Sequence, residues 1–68
     1  MYLEALLLKY KSDMASATAN LMNYIDNSVG VAEHPDVITS LDALVEKIAE
    51  AEEKAKVIEN LQDFQAER

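Results

Sequence analysis

The sequence contains no cysteine and no tryptophan, and its 68 residues include only one glycine, one proline and one histidine. Without cysteine the chain can form neither a disulfide nor a thiolate metal site. A single histidine, His34, also excludes a histidine-cluster metal site within one chain. A domain this small is marginally stable alone and usually depends on a disulfide, a metal or oligomerisation. Oligomerisation is therefore the support that remains.

Positive charge is also scarce, because six Lys and Arg residues stand against thirteen Asp and Glu residues, giving a net charge of −7. Binding to nucleic-acid phosphates needs a basic stripe, and an anionic membrane surface repels an acidic chain. The apolar run of residues 6–8 is far shorter than a signal or transmembrane segment. We therefore expect no nucleic-acid partner, no membrane partner and a cytoplasmic location.

Half of the residues are apolar, and in two long segments they recur with alternating steps of four and three. This is the heptad spacing of helices that pack on other helices. It predicts one helix over about residues 2–26 and another over about residues 35–65. We call the residues with this spacing the seam. The seam comprises Leu3, Leu7, Tyr10, Met14, Ala17, Leu21 and Tyr24 in the first segment, and Val37, Leu41, Leu44, Ile48, Ala51, Ala55 and Ile58 in the second.

A turn is expected over about residues 27–34, between the two helices. Asn27 and Gly30 are turn formers, and Gly30 suits the left-handed conformation that follows a helix end. Pro35 suits the first position of the second helix, with His34 as its cap, and Asp36 favours the positive helix N-terminus. Residues 1–68 are thus predicted to form one all-α domain, an antiparallel two-helix hairpin.

Further apolar columns widen the seam on both helices. In the first helix they are Leu8, Ala15 and Met22, and in the second Ile38 and Val45. Two helices cover only one side of each other, so a stripe three columns wide needs a second hairpin. A homodimer that forms a four-helix bundle is the simplest closed solution, and a higher oligomer is the other possibility.

The apolar spacing changes near the end of the second helix, where Val57, Leu61 and Phe64 form a stripe rotated from the seam. This stripe could contact Tyr2 and Leu6 of a second chain, contact a separate protein, or fold back over its own chain, and these alternatives stay open. The residues expected at the oligomer interface are Leu3, Leu6, Leu7, Leu8, Tyr10, Met14, Met22, Ile38, Val45, Leu61 and Phe64.

Candidate chemical groups are few. Glu50, Glu52 and Glu53 form an acidic run, but carboxylate metal sites in bundles typically use a Glu-x-x-His pair, which is missing here. Glu50 with Lys54, and Glu52 with Lys56, are instead expected to form ion pairs along the helix. No nucleophile lies beside a base and no Gly-rich phosphate loop occurs. We expect a non-enzymatic protein with no catalytic residue, metal or cofactor.

The tripeptide His34-Pro35-Asp36 is also the signature loop of J-domains, which stimulate the ATPase of a class of chaperones. In that family the preceding helix is basic, whereas residues 13–33 here contain no Lys or Arg. The usual tyrosine-rich start is missing as well. We therefore interpret the tripeptide as helix capping.

Three stretches carry a resemblance to a known group of proteins: Lys9-Tyr10-Lys11, Val29-Gly30-Val31-Ala32-Glu33-His34-Pro35-Asp36 and Ala49-Glu50-Ala51-Glu52. In these stretches the chain resembles small helical-hairpin proteins, of no assigned role, that tailed bacteriophages of marine bacteria encode. The resemblance implies a phage accessory protein in the cytoplasm of the infected host. It supplies no catalytic residues.

The sequence as a whole favours a structural or protein-interaction module that associates with itself and, through its outer surface, with another protein. The acidic net charge supports one alternative. An acidic helical dimer can imitate a nucleic-acid backbone and so act as a decoy or inhibitor of a basic host protein. Solubility is the simpler explanation of the same charge.

Overall fold

The computed structural model describes residues 1–27 and 35–67. Within these residues the chain consists of two helices, α1 (Tyr2–Asp26) and α2 (Pro35–Ala66), that pack against each other, and no strand occurs there. The prediction of an all-α hairpin is confirmed in this form. The predicted roles of Gly30 and His34 lie outside the described residues.

Helix α1 contains no glycine or proline over its 25 residues, and it ends at an asparagine cap. The backbone N–H of Asn27 donates to the Asn23 carbonyl at 3.0 Å. The Asn27 side-chain Nδ2 donates to the same carbonyl at 2.9 Å and to Asn23 Oδ1 at 2.7 Å. These bonds satisfy a carbonyl that the last turn of a helix would otherwise leave unpaired, so α1 ends where the sequence changes to turn-forming residues.

Helix α2 has 32 residues and carries Asp36 in its first turn. Proline is well suited to the start of a helix, since its fixed φ fits the helix and its missing N–H has no partner there. The Asp36 carboxylate is favoured by the partial positive charge of the helix N-terminus. These two residues explain why the second helix begins where it does.

The two helices run antiparallel. Lys54 Nζ lies 5.6 Å from the centroid of the Tyr10 ring, while a shallow groove further along the hairpin brings Ala17 together with Leu44 and Ala51. Later residues of α1 therefore meet earlier residues of α2. The result is a rod with Cα extents of 55 × 15 × 13 Å. We call the end where α1 starts and α2 finishes the open end, and the opposite end the turn end.

The core of the rod is the seam. Every predicted seam position is buried or half-buried, and the buried residues, each at most 8% exposed, are Ala17, Val37, Ala51, Ala55 and Ile58. Three of these five are alanines, because a small side chain is fully covered when a larger one from the facing helix lies over it. The seam continues one step beyond the prediction to Gln62, which is half-buried.

Candidate interaction surface

One broad face of the rod carries exposed apolar side chains that the hairpin does not cover. We call it the flank face, and its apolar members are Leu8, Ala15 and Met22 of α1 and Ile38 and Val45 of α2. Ile38 is 70% exposed and Leu8 63%, and Met22 and Val45 are each half exposed. With 3.6 residues per turn, these positions project from the same side of the seam. They are the apolar columns that the sequence analysis predicted beside the seam.

A shallow, almost entirely apolar groove runs along α1 on the flank face. Its lining residues are Lys11, Met14, Ala15, Thr18 and Ala19. The groove forms where Ala15, Thr18 and Ala19 present small side chains on one surface of the helix. The larger side chains of Leu8 and Met22 lie two turns before Ala15 and about one turn after Ala19. A side chain of moderate size from another helix would fit between them.

The opposite broad face has a different apolar patch, confined to the open end. We call it the open-end patch; its members are Tyr2, Leu6, Val57, Leu61 and Phe64, all exposed. Phe64 is 62% exposed, so it does not fold back over the core of its own chain, and that alternative from the sequence is wrong for this hairpin. The rotated stripe of α2 therefore faces solvent.

The remaining residues predicted at an interface lie between the two helices of one chain. Leu3, Leu7, Tyr10 and Met14 are half-buried seam residues. The structure thus divides the predicted interface residues among three places: the seam, the flank face and the open-end patch.

The opposite face carries a cluster of charges around Tyr10, between the open-end patch and the turn end. Spacing along the chain predicted only part of this cluster. Lys9 Nζ pairs with Asp13 Oδ2 at 2.9 Å, and Lys54 Nζ pairs with Glu50 Oε1 at 3.1 Å. Both lysines also lie near the Tyr10 ring, at 6.0 and 5.6 Å from its centroid. The predicted Glu50–Lys54 pair is confirmed. Bringing the two pairs to one ring requires the register between the helices, which no local spacing encodes.

The second ion pair predicted along α2 is wrong, because Glu52 and Lys56 do not pair in the structure. Both side chains are exposed. At an exposed site the attraction of such a pair is worth only about 0.2–0.5 kcal/mol, and the entropy of two long side chains opposes it.

Within the charged cluster, Lys54 is held in its protonated form. The hydrogen bond and the charge of Glu50 raise the pKa of Lys54 above its ordinary value of 10.5. Lys54 is therefore a protonated cation at neutral pH, whereas an amine nucleophile or base needs a lowered pKa. Among the described residues no polar or charged side chain is buried, so acid–base groups have no enclosed site there.

No group of three or more His, Cys, Asp or Glu residues in the described part of the chain could hold a metal ion. Neither α1 nor α2 is long and apolar enough to cross a membrane. The flank face and the open-end patch are the features of the described surface that differ most from an ordinary solvated helix.

Comparisons with known proteins assign the chain to no family. No family model matches the chain, and neither a curated protein nor a solved structure matches it significantly.

Proposed function

We propose that the protein is a non-enzymatic structural or interaction module that works as a homodimer, formed by packing two flank faces into a four-helix bundle. The observation that carries this proposal is the row of exposed apolar side chains on one side of both helices. Helices of a bundle bury such columns against a second pair of helices. A symmetric dimer needs only one self-complementary face, which the flank face supplies.

The accessible surface of the chain supports this proposal quantitatively. One chain exposes 5455 Å², whereas a compact monomer of 7.6 kDa would expose about 4,300 Å². The excess of roughly 1,100 Å² is larger than the approximately 800 Å² that each partner buries in a standard interface. A second copy on the flank face would therefore bring the exposed surface close to that of an ordinary folded protein.

Replacing Ile38 by glutamate should dissociate the dimer. Ile38→Glu would place one carboxylate from each chain in a desolvated interface, which costs several kcal/mol. We expect the dissociation constant to rise at least about 100-fold. Sedimentation equilibrium should show a species of one chain mass where the parent protein has two. The hairpin should stay helical, because Ile38 is mostly exposed within it.

Thr39→Glu is the matched control for this variant. Thr39 is exposed and lies one residue further along the same helix, about 100° around it from Ile38, on the side of α2 that points away from the seam. The two variants share the added charge and lie one residue apart near the helix N-terminus, so contact with the flank face is the main difference between them. Equal dissociation constants for the two variants would contradict the proposed interface.

The open-end patch offers a second contact, to a separate protein. It lies on the face turned away from the flank face, so dimer formation would leave it accessible. Its exposed Leu61 and Phe64, at the end of the longer helix, have the spacing of an apolar helix contact. The resemblance to phage proteins would place this activity in the cytoplasm of an infected bacterium.

The acidic surface favours a second candidate, a decoy that occupies the nucleic-acid site of a basic protein. Helix α2 carries eight acids and three lysines, a net charge of −5 over about 48 Å of helix. Duplex DNA carries one charge per roughly 1.7 Å, so one α2 helix has only about a fifth of its charge density. A decoy should capture basic proteins and release them as salt rises, whereas an apolar contact should persist.

A further inference from the structure

We infer that the two hairpins pair with both turn ends at the same end of the bundle, so that α1 of each chain lies on α2 of the other. This inference rests on the proposed homodimer and specifies how the second copy occupies the flank face. The two-fold axis runs parallel to the rod.

A two-fold axis parallel to the helices permits no sliding along them. Each residue of α1 then meets the α2 residue of the second copy that lies at its own height in the rod. The register within the hairpin, which places Tyr10 near Lys54 and Ala17 in one groove with Leu44 and Ala51, therefore also fixes the register between the chains.

The apolar half of each flank face then contacts the apolar half of the other. Towards the turn end, Met22 of α1 lies at about the height of Ile38 of α2. Nearer the middle, the groove around Ala15 and Thr18 lies at the height of Val45. Val45 is half exposed and has the moderate size that the groove can accept. Each chain thus offers one groove and one side chain to fill the groove of the other.

The charged half of the flank face supplies one opposite-charge contact per chain in the same register. Towards the open end, α1 contributes Glu4 and Lys11, and α2 contributes Glu52, Lys56 and Glu59, all exposed. At equal height Lys11 meets Glu52 of the second copy. Glu4 lies at the height of Glu59, with Lys56 about one turn away. Lys11, Glu52 and Lys56 form no ion pair with the described residues of their own chain, so these charges are available to the other chain.

The alternative pairing, with turn ends at opposite ends, lays α1 on α1 and α2 on α2. If the two α2 helices, Pro35–Ala66, overlap fully, Ile38 meets Asp63 and Asp42 meets Glu59. Apolar side chains then face charges, and two carboxylates face each other. Shifting the rods to match only their apolar halves would leave the other half of each flank face uncovered.

Two complementary charge reversals test the pairing directly. In Lys11→Glu the facing charges of a homodimer are both negative, and in Glu52→Lys they are both positive. A mixed dimer of the two variants restores opposite charges at both contacts. The net charge of −7 changes by two in opposite directions, to −9 and −5, so native electrophoresis separates the mixed dimer from both homodimers.

We expect mixed dimers to rise from the statistical half to more than nine-tenths of an equimolar mixture. The control mixture combines Asp13→Lys with Lys54→Glu, which exchange charges across the seam on the opposite face, and it should stay statistical. A statistical distribution for the Lys11 and Glu52 variants would overturn the same-end pairing and leave the homodimer itself intact. Absence of any dimer in the parent protein would instead overturn the proposed function.

Discussion

Replacing Ala55 by aspartate is expected to lower the melting temperature by about 15–25 °C or to abolish the fold at room temperature. Ala55 is 6% exposed in the seam, where a carboxylate would lose water without gaining a partner. Burying such a group costs several kcal/mol, while a chain of 68 residues has about 3–10 kcal/mol of stability in total. Thermal unfolding followed by helical circular dichroism measures the effect.

Ala43→Asp provides the control, because Ala43 is exposed in the same helix. It incurs the same loss of helix propensity, about 0.5–0.7 kcal/mol, without burying a charge. We expect it to lower the melting temperature by only a few degrees. Similar losses from the two substitutions would show that Ala55 does not lie in a packed seam.

Replacing Ile58 by alanine is expected to cost about 2–4 kcal/mol of unfolding free energy. Ile58 is 6% exposed and packs near the open end, where the first residues of α1 cover it. Its loss removes buried apolar contacts between the two helices and leaves a cavity there, and both effects lower the free energy of unfolding. Urea denaturation gives the change in the free energy of unfolding.

Phe64→Ala is the comparison for Ile58→Ala, since it removes a larger apolar side chain from the same end of α2. Phe64 is 62% exposed, so we expect a loss within about 0.5 kcal/mol. A loss for Phe64→Ala as large as that for Ile58→Ala would mean that the open-end patch belongs to the folding core or to the dimer interface.

The hairpin itself could be predicted from spacing alone. Alternating steps of four and three place one apolar stripe on each helix, and the structure buries or half-buries every residue of those stripes. The predicted helices, 2–26 and 35–65, compare with Tyr2–Asp26 and Pro35–Ala66 in the structure. Periodicity succeeds here because long helices without internal glycine or proline leave few alternative arrangements.

Features that depend on the axial register between the two helices were harder to predict. The cluster of Lys9, Asp13, Glu50 and Lys54 around Tyr10 needs Tyr10 and Lys54, 44 positions apart in the chain, to meet. Glu52 and Lys56 have favourable spacing and still do not pair, since an exposed ion pair gains too little to fix two flexible side chains. Spacing along one helix predicts neither the cluster around Tyr10 nor the missing pair of Glu52 and Lys56.

The presence of an exposed apolar surface could be predicted more readily than its position. A three-column stripe indicates that a hairpin leaves part of its apolar surface uncovered. Only the folded rod separates the flank face from the open-end patch and shows that they lie on opposite faces. In the proposed dimer, this separation would let the flank face serve self-association and leave the open-end patch accessible to a different protein.

Sedimentation equilibrium of the parent protein, from about 1 to 100 µM, tests the homodimer most directly. The flank face predicts a mass of twice the 7.6 kDa chain over most of this range, with dissociation only at the lowest concentrations. A mass of one chain at every concentration, in a protein that still unfolds cooperatively, would contradict the account.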